Sequence, residues 1–241
     1  MKPDSAKAPR YNVAETASLK MSLPRTHFGY SVDEYLAIDR GSQERYEYLD
    51  GEIFAMAGER PAHGDICTNI TGLLYIELRH GPCHIFSKDT KVRSGPSPKP
   101  GRREGLFSYP DVVIVCDEMQ FHDEYRDVLL NPMVIFEVAS PYTEDFDRRE
   151  KWLRYQTWLS SLTDYVMVAQ DQARVEQFTR SAGGSWTYSV VTGLDGEIEL
   201  KSIGCRLKLS DIYARVVFPE KKIENPNESF EETIPVGPPR G

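Results

Sequence analysis

The sequence lacks a long hydrophobic run. No stretch approaches 18 uninterrupted apolar residues, so we expect no transmembrane helix. The first 20 residues contain no apolar segment of the kind that a signal peptide needs, so we expect a cytoplasmic protein without membrane contacts. Hydrophobic residues still make up 40% of the 241-residue chain. That share is sufficient for a folded core, and the length indicates one domain with tails.

The sequence also lacks a basic excess. Lys and Arg number 29 against 37 Asp and Glu, and a net charge of −8 argues against a protein that coats DNA by bulk electrostatics. No helix-turn-helix, zinc finger or other base-reading module is recognisable, so the sequence predicts no target sequence.

Cysteines are few. The four are Cys67, Cys83, Cys116 and Cys205. None belongs to a C-x-x-C pair and none is interpreted as standing at zinc-binding spacing from a histidine, so we expect no structural zinc site. A disulfide framework is unusual in a cytosolic chain of this size. We therefore expect four buried thiols.

Hydrophobic patterning divides the chain into three parts. Residues 1–27 are polar and aperiodic and are interpreted as a flexible arm, whereas residues 219–241 are rich in Pro, Glu and Asn and are interpreted as a disordered tail. The folded body is therefore predicted to span residues 28–218. It mixes strand-like and helix-like segments, with hairpins at both ends, which is typical of an α/β or α+β domain built around a mixed sheet.

Local signals place the elements of that body. Ser31 to Glu34 form a capping box for a helix through Ile38, and Asp50-Gly51 separates two strands of a hairpin with a type I′ turn. The remaining predictions are a helix over 61–80, strands over 83–92, 110–115 and 133–139, a helix over 144–159, a strand over 165–169, hairpin-like segments over 173–180 and 185–192, and a short helix over 210–214.

Two acids stand in otherwise apolar strands. Asp111 begins the run P-D-V-V-I-V, and Glu137 interrupts V-I-F-E-V-A. A buried carboxylate is costly unless a cation compensates it, and two carboxylates from neighbouring strands would suit Mg²⁺. The structural alternative is that Asp111 caps a strand end while Glu137 pairs with a buried arginine.

A lysine follows these strands. Asp147, Lys151 and Tyr155 are spaced i, i+4 and i+8 and would share one face of a helix. The alternative is an exposed Asp147–Lys151 pair that contributes a few tenths of a kcal/mol. Glu47, in the first hairpin, is a third candidate acid, although glutamates are common on the solvated face of a strand.

Basic residues cluster just before the Asp111 strand. Residues 88–103 contain six basic side chains and one acidic one, and residues 94–106 are rich in Gly and Pro, as in a mobile loop. Such a loop beside a metal site would contact a DNA backbone, and the alternative is an ordinary solvated loop. The predicted DNA contacts are Lys91, Arg93, Lys99, Arg102 and Arg103.

Five short motifs occur in a familiar order. They are Y-E-Y-L-D-G-E at 46–52, His63 at the start of the next helix, Y-P-D-V-V-I-V at 109–115, F-E-V-A-S-P at 136–141 and D-x-x-x-K-x-x-x-Y at 147–155. Together they resemble the Uma-two family of restriction-endonuclease-like proteins in the PD-(D/E)XK nuclease superfamily. The resemblance covers residues 28–216. It implies a central mixed sheet flanked by helices, a Mg²⁺-dependent phosphodiesterase site that also tolerates Mn²⁺, DNA as the partner, and a homodimer.

The resemblance also assigns roles. Asp111 matches the aspartate of the PD motif and Glu137 the acid of the (D/E)XK motif. Ala139 stands where that motif has lysine, and Lys151 matches the lysine that the family supplies from the following helix. Glu47 matches an acid that precedes the core sheet and is expected to bind a second metal ion or to order a water.

Further roles follow from these matches. The backbone carbonyl of Val138 is expected to join Asp111 and Glu137 as a metal ligand. Lys151 would orient the attacking water or stabilise the charge that develops on phosphorus. Tyr155 and Asp147 would support Lys151. His63 could approach the phosphate, although a histidine at a helix start is more often structural.

Two other hypotheses stay open at the level of sequence. Because of Ala139, the chain could be a catalytically weak nuclease-fold protein that binds nucleic acid or a protein partner, and a Lys151 amine that points away from the carboxylates would favour this. A pair of acids is also found in glycoside hydrolases. That hypothesis predicts an aromatic-lined cleft without a metal requirement.

Overall fold

A computed structural model describes residues 29–219, except residues 57, 98, 100, 141 and 142. The predicted arm and all but the first residue of the predicted tail lie outside the described residues. Within those residues, no helix has the length and hydrophobicity that a bilayer crossing requires.

The helices begin and end close to the predicted positions. In α1 the Ser31 side chain accepts a hydrogen bond from the Glu34 N–H at 3.2 Å and the Glu34 carboxylate accepts one from the Ser31 N–H at 2.8 Å, so the capping box is confirmed. The predicted helix over 144–159 is present as α3, a π-helical turn and α4. The helical segments are α1 Val32–Gly41, α2 Pro61–Leu78, α3 Glu144–Phe146, the π-helical turn Asp147–Lys151, α4 Trp152–Trp158 and α5 Leu209–Ile212.

The strands form two main sheets and a separate hairpin. They are β1 Tyr46–Leu49, β2 Glu52–Ala55, β3 His84–Ser87, β4 Lys91–Ser94, β5 Leu106–Ser108, β6 Val112–Val115, β7 Val128–Leu129, β8 Val134–Ala139, β9 Asp164–Ala169, β10 Arg174–Arg180, β11 Trp186–Thr192, β12 Glu197–Leu200 and β13 Cys205–Lys208. The central sheet has six strands in the order β11-β10-β9-β8-β6-β3. Its β8 and β9 are parallel and its other neighbours antiparallel, so the predicted mixed sheet is confirmed.

The second sheet contains the first hairpin. Its five strands have the order β2-β1-β5-β4-β7. Asp50 and Gly51 both have positive φ, 47° and 100°, which is the signature of a type I′ turn. The predicted hairpin is therefore confirmed, and its register pairs Leu49 with Glu52. Because side chains alternate along β1, Tyr48 is buried beneath α1 whereas Glu47 points to the opposite face of the sheet.

One predicted strand is in fact two. The segment 83–92 was expected to form a single strand, but β3 belongs to the central sheet and β4 to the second sheet. The break lies at Lys88, which has a φ of 54°, and at Asp89, whose N–H donates to the Ser87 carbonyl at 2.6 Å. A residue in the left-handed region ends a strand, and here it lets the chain cross between the two sheets.

The prediction of four buried thiols is wrong for two of the cysteines. Cys83 and Cys116 form a disulfide with their Cα atoms 3.8 Å apart. The reason is the strand register: β3 and β6 are antiparallel and pair His84 with Val115, so the two cysteines are the next residues opposite each other. Cys67 and Cys205 are free and buried, as expected.

The central sheet separates two hydrophobic cores. One core lies under α2 and includes Phe136 and Val138 of β8, and the other lies under α4 and includes Ile135 and Ala139. Since side chains alternate along β8, Glu137 points to the same face as Ile135 and Ala139, the face that α4 and the second sheet cover. This alternation places the Glu137 carboxylate between the two sheets.

Four of the observed strands were not predicted from the sequence: β5, β7, β12 and β13.

Candidate active site

The predicted site residues meet in one cavity of about 680 Å³. It lies where β1, β6 and β8 face the start of α2 and the π-helical turn. Of the residues singled out in the sequence, the cavity is lined by Glu47, His63, Asp111, Glu137, Val138, Asp147 and Lys151. These residues are as many as 104 positions apart in the sequence, so the fold alone brings them together.

Lys151 is surrounded by carboxylates. Its ammonium lies 3.1 Å from Glu137 Oε1, 3.1 Å from Asp147 Oδ1 and 3.4 Å from Glu47 Oε1. The Lys151 side chain is only 7% exposed. The Asp147–Lys151 pair is therefore buried, and the alternative of an exposed pair is wrong. The amine points toward the carboxylates, which is the orientation that catalysis by a displaced lysine requires.

A π-helical turn carries this lysine. Asp147 begins the turn and Lys151 ends it, and both side chains are buried. The Tyr165 hydroxyl donates to the Asp147 carbonyl at 3.0 Å, which fixes the start of the turn. Turns of this type insert one extra residue into a helix and occur often at functional sites.

Asp111 is held by two donors. Its Oδ2 accepts a hydrogen bond from the Val138 N–H at 2.7 Å, and its Oδ1 lies 3.2 Å from His63 Nε2. In a β-strand the N–H and C=O groups of one residue point to the same side, so the Val138 carbonyl also faces Asp111. The pairing of β6 with β8 ends at Val112 and Phe136, which leaves Val138 beyond the ladder.

Glu137 is held from the helical side. The Tyr155 hydroxyl donates to Glu137 Oε1 at 3.2 Å and lies 2.7 Å from Ser108 Oγ. Tyr155 is completely buried and contacts the carboxylate from behind the cavity. Ser108 was not predicted, because a serine in a short strand gives no sequence signal of such a contact.

The environment shifts the pKa values of the two acids in opposite directions. Burial, reinforced by the negative charges of Asp147 and Asp111, raises the pKa of Glu137 well above its usual value, despite Lys151. Burial acts in the same sense on Asp111, but His63, the Val138 N–H and Lys151 outweigh it and lower the pKa of Asp111.

Lys151 and His63 respond to the same charges. Burial alone would lower the pKa of Lys151, but Glu137, Glu47 and Asp147 raise it well above its usual value. The pKa of His63 is also raised, because its contacts with Asp111 and Glu59 outweigh burial. Both groups therefore favour the charged form, which partly compensates the surrounding carboxylates.

Glu47 is positioned by the backbone. Its Oε1 accepts a hydrogen bond from the Tyr109 N–H at 3.1 Å and lies near Lys151. Tyr109 in turn donates from its hydroxyl to the buried Asp39 at 2.7 Å. Glu47 is thus no solvated strand glutamate but part of the cavity wall.

Two predicted DNA contacts are wrong. Lys91 is 4% exposed, and its ammonium pairs with Asp39 at 2.6 Å and with Asp127 at 2.9 Å inside the fold. Arg93 is 9% exposed, and it donates to the Pro96 carbonyl. Both side chains belong to β4, whose residues are all buried, so neither can reach a phosphate.

The other three predicted DNA contacts do not line the cavity. The loop is held at the turn of the first hairpin, where the Gly105 N–H donates to Asp50 Oδ1 at 2.8 Å. The cavity is lined by the other end of that hairpin. Lys99 and Arg103 are exposed and Arg102 is half-buried, and their contact with DNA stays a prediction. Besides Lys151 and His63, the basic side chains that line the cavity are Arg45, Arg60 and Lys88, none of which was among the predicted DNA contacts.

The donor set suits a hard divalent cation. Asp111, Glu137 and the Val138 carbonyl offer only oxygen atoms, the ligand type that Mg²⁺ prefers. Five carboxylates line the cavity, and the four with the most buried side chains are those of Glu47, Asp111, Glu137 and Asp147. The cations in contact with these four are Lys151, which contacts three of them, and His63, which contacts Asp111. Carboxylates that outnumber their buried cationic partners fit a site that binds a cation.

Comparisons with known proteins identify the family and the fold. Residues 32–210 match the family described as "Uma2: Putative restriction endonuclease". Two uncharacterized proteins of Synechocystis sp. are similar: one is 30% identical over 69% of this chain and 89% of its own length, the other 29% identical over 78% and 93%.

A solved structure shares the fold. It is the crystal structure of "a putative nuclease belonging to DUF820" from Anabaena variabilis, with a TM-score of 0.62 at 14% identity over 78% of this chain and 99% of that one. The likeness shows a shared fold, and the family match covers nearly all of the described residues. The chain therefore belongs to the Uma2 family of restriction-endonuclease-like proteins.

Proposed function

We propose that this protein is a metal-dependent endonuclease that hydrolyses phosphodiester bonds of DNA. The observation that carries the proposal is the position of Lys151, whose amine lies within 3.4 Å of Glu137, Asp147 and Glu47 in the cavity that Asp111 also lines. The family match supports a nuclease, and the charge distribution of the cavity supports metal dependence.

Asp111, Glu137 and the Val138 carbonyl would hold Mg²⁺, and Mn²⁺, which also favours oxygen ligands, would substitute for it. The metal supplies positive charge against the scissile phosphate and increases the acidity of a water. The protein supplies the rest. The Val138 N–H fixes one oxygen of Asp111, and Tyr155 fixes one oxygen of Glu137.

Lys151 acts as the positioned cation. Its charged amine donates hydrogen bonds that can orient the attacking water or stabilise charge on the phosphoryl oxygens. Asp147 and the π-helical turn hold the lysine in place, and Glu47 would order a water beside it. His63 lies 3.2 Å from Asp111 and would keep that carboxylate ionised.

DNA would approach through the cavity mouth. Arg60 is the exposed N-cap residue of α2, and the first N–H groups of a helix favour phosphate. Lys88 and Arg45 line the same cavity. This group of cations, rather than the loop at 94–106, supports backbone contact next to the carboxylates.

Replacing Arg60 by glutamine should weaken DNA binding and reduce the salt dependence of the binding constant by about one unit of slope, because one phosphate contact is lost. Binding is measured by fluorescence anisotropy with a short duplex, in Ca²⁺ so that DNA is not cut. Arg206→Gln is the matched control, since Arg206 is an exposed arginine of β13 outside the cavity. Equal weakening in both variants would contradict the proposed path.

The function itself is tested with purified full-length protein. Supercoiled plasmid and linear duplex DNA are incubated with Mg²⁺, with Mn²⁺ and with a chelator. We expect nicked or linearised plasmid with either metal and intact plasmid with the chelator. Intact DNA under every condition would overturn the endonuclease proposal.

A second candidate is a catalytically weak nuclease-fold protein that binds DNA or a protein partner. DNA binding without cleavage in the two assays above would favour it. The orientation of Lys151 toward the carboxylates favours cleavage instead. Assembly as a homodimer, which the family resemblance implies, stays a prediction that sedimentation would test.

A further inference from the structure

A second group of metal-ligating side chains lies beside the proposed Mg²⁺ site. His63, Cys67 and Asp111 each offer one ligand atom, and these atoms lie within 4.8 Å of one another. His63 and Cys67 are four residues apart on α2 and therefore share one helix face, with the Cys67 sulfur 3.5 Å from His63 Nδ1. This spacing was overlooked in the sequence. Asp111 completes the group from the start of β6.

The chemistry of this group differs from that of the oxygen-only site. Imidazole and thiolate ligands select zinc and related transition metals, whereas Mg²⁺ favours carboxylate and carbonyl oxygens. One nitrogen, one sulfur and one oxygen ligand, with a fourth position left to solvent, is a donor set that suits Zn²⁺. His63 and Asp111 line the cavity, so a metal ion has an entry path, while Cys67 is 2% exposed and closes the site from the core side.

We propose that His63, Cys67 and Asp111 form a transition-metal site that binds Zn²⁺ and competes with Mg²⁺ for Asp111. A Zn–S bond forms as the thiol proton of Cys67 leaves to solvent, and His63 binds as the neutral imidazole after its extra proton also leaves to solvent, so no oxidant or reductant is needed. With Nε2, the nitrogen that faces Asp111, as the ligand atom, Glu59 at 3.2 Å from His63 Nδ1 would orient the ring from outside the ligand shell. Only the competition with Mg²⁺ rests on the proposed endonuclease function; the site itself does not.

Metal binding is tested without DNA. The full-length protein is titrated with Co²⁺ under argon and without reductant, so that the Cys83–Cys116 disulfide stays intact. We expect a near-ultraviolet thiolate-to-cobalt charge-transfer band that Zn²⁺ abolishes by displacement. Cys67→Ala should remove the band and lower Zn²⁺ affinity about tenfold or more, as measured against a chromophoric chelator. Cys205→Ala is the matched control, because Cys205 is the other free buried cysteine among the described residues.

A second variant tests the site independently, in case Cys67→Ala does not fold. His63→Asn changes a half-buried side chain at the start of α2 and should also lower Zn²⁺ affinity. Absence of the band in the wild-type protein, its persistence in Cys67→Ala, or its loss in Cys205→Ala would overturn the site. If cleavage is observed, micromolar Zn²⁺ should inhibit it and added Mg²⁺ should relieve the inhibition. Zn²⁺ binding without any cleavage would leave the site intact and count against the endonuclease alone.

Discussion

Replacing Glu137 by glutamine should lower the rate of Mg²⁺-dependent DNA cleavage by about 10³-fold or more. A neutral amide loses the charge that holds the cation, and a bound metal contributes several kcal/mol to the transition state, of which about 4 kcal/mol corresponds to 10³-fold. The fold should persist, because the amide oxygen can still accept from Tyr155 and Lys151 retains Glu47 and Asp147. Single-turnover nicking of supercoiled plasmid gives the rate, and calorimetric titration gives the Mg²⁺ affinity.

Glu176→Gln is the control for this substitution. Glu176 is a glutamate of the same sheet, 3% exposed, and it pairs with Arg174 at 2.8 Å and with Arg148 outside the cavity. The two variants therefore make the same chemical change at equally buried strand positions. We expect Glu176→Gln to cleave DNA at nearly the wild-type rate per folded molecule. Similar rates in the two variants would contradict a metal-binding role for Glu137.

The sequence predicted the acids and the lysine because their positions violate local expectations. Asp111 and Glu137 interrupt apolar strands, and a charge at such a position must find a partner in the folded state. The spacing of Asp147, Lys151 and Tyr155 predicts that the three side chains share one helix face. The π-helical turn preserves the contact between Asp147 and Lys151. The alternation of side chains along β1 and β8 then brings the carboxylates of Glu47 and Glu137 to the same lysine from two different sheets.

The burial of two predicted DNA contacts was hard to foresee, because local charge says nothing about burial. Lys91 and Arg93 stand in a basic stretch, but β4 is a buried strand and Lys91 is neutralised by Asp39 and Asp127. Those partners lie 52 and 36 residues away in sequence, so no local pattern connects them. Of the cations that line the cavity, Arg60 and Arg45 come from segments without a basic cluster, and Lys88 is the first residue of the basic stretch.

The disulfide and the passage of the chain from one sheet to the other at residues 88–89 both depend on which strands pair in the folded protein. A cysteine at the end of a strand forms a bond only if the register places a second one opposite, and the register of β3 against β6 is set by long-range contacts. The segment 83–92 has a strand-like composition throughout. Its division between two sheets depends on Lys88, whose positive φ no hydrophobic pattern reveals.

Replacing Lys151 by methionine should lower the free energy of unfolding of the metal-free protein by about 3–5 kcal/mol. The variant leaves Glu137, Glu47 and Asp147 without the cation that contacts all three, and an uncompensated buried charge has a cost of this order. Mg²⁺ should restore part of the loss, because the ion would share Glu137 with the missing amine and add positive charge beside Glu47 and Asp147, and it should stabilise the variant more than the wild type. Urea unfolding with and without Mg²⁺ measures both effects.

Lys91→Met separates this effect from the general cost of removing a buried lysine. The Lys91 side chain is 5% exposed and pairs with Asp39 and Asp127 outside the cavity, so its removal should also destabilise the protein. Mg²⁺ should stabilise this variant no more than the wild type, since Asp39 and Asp127 lie outside the proposed metal site. Equal recovery of both variants in Mg²⁺ would mean that the ion stabilises the fold elsewhere. Recovery of Lys151→Met alone, without recovery of DNA cleavage, would assign the lysine amine to catalysis rather than to charge balance.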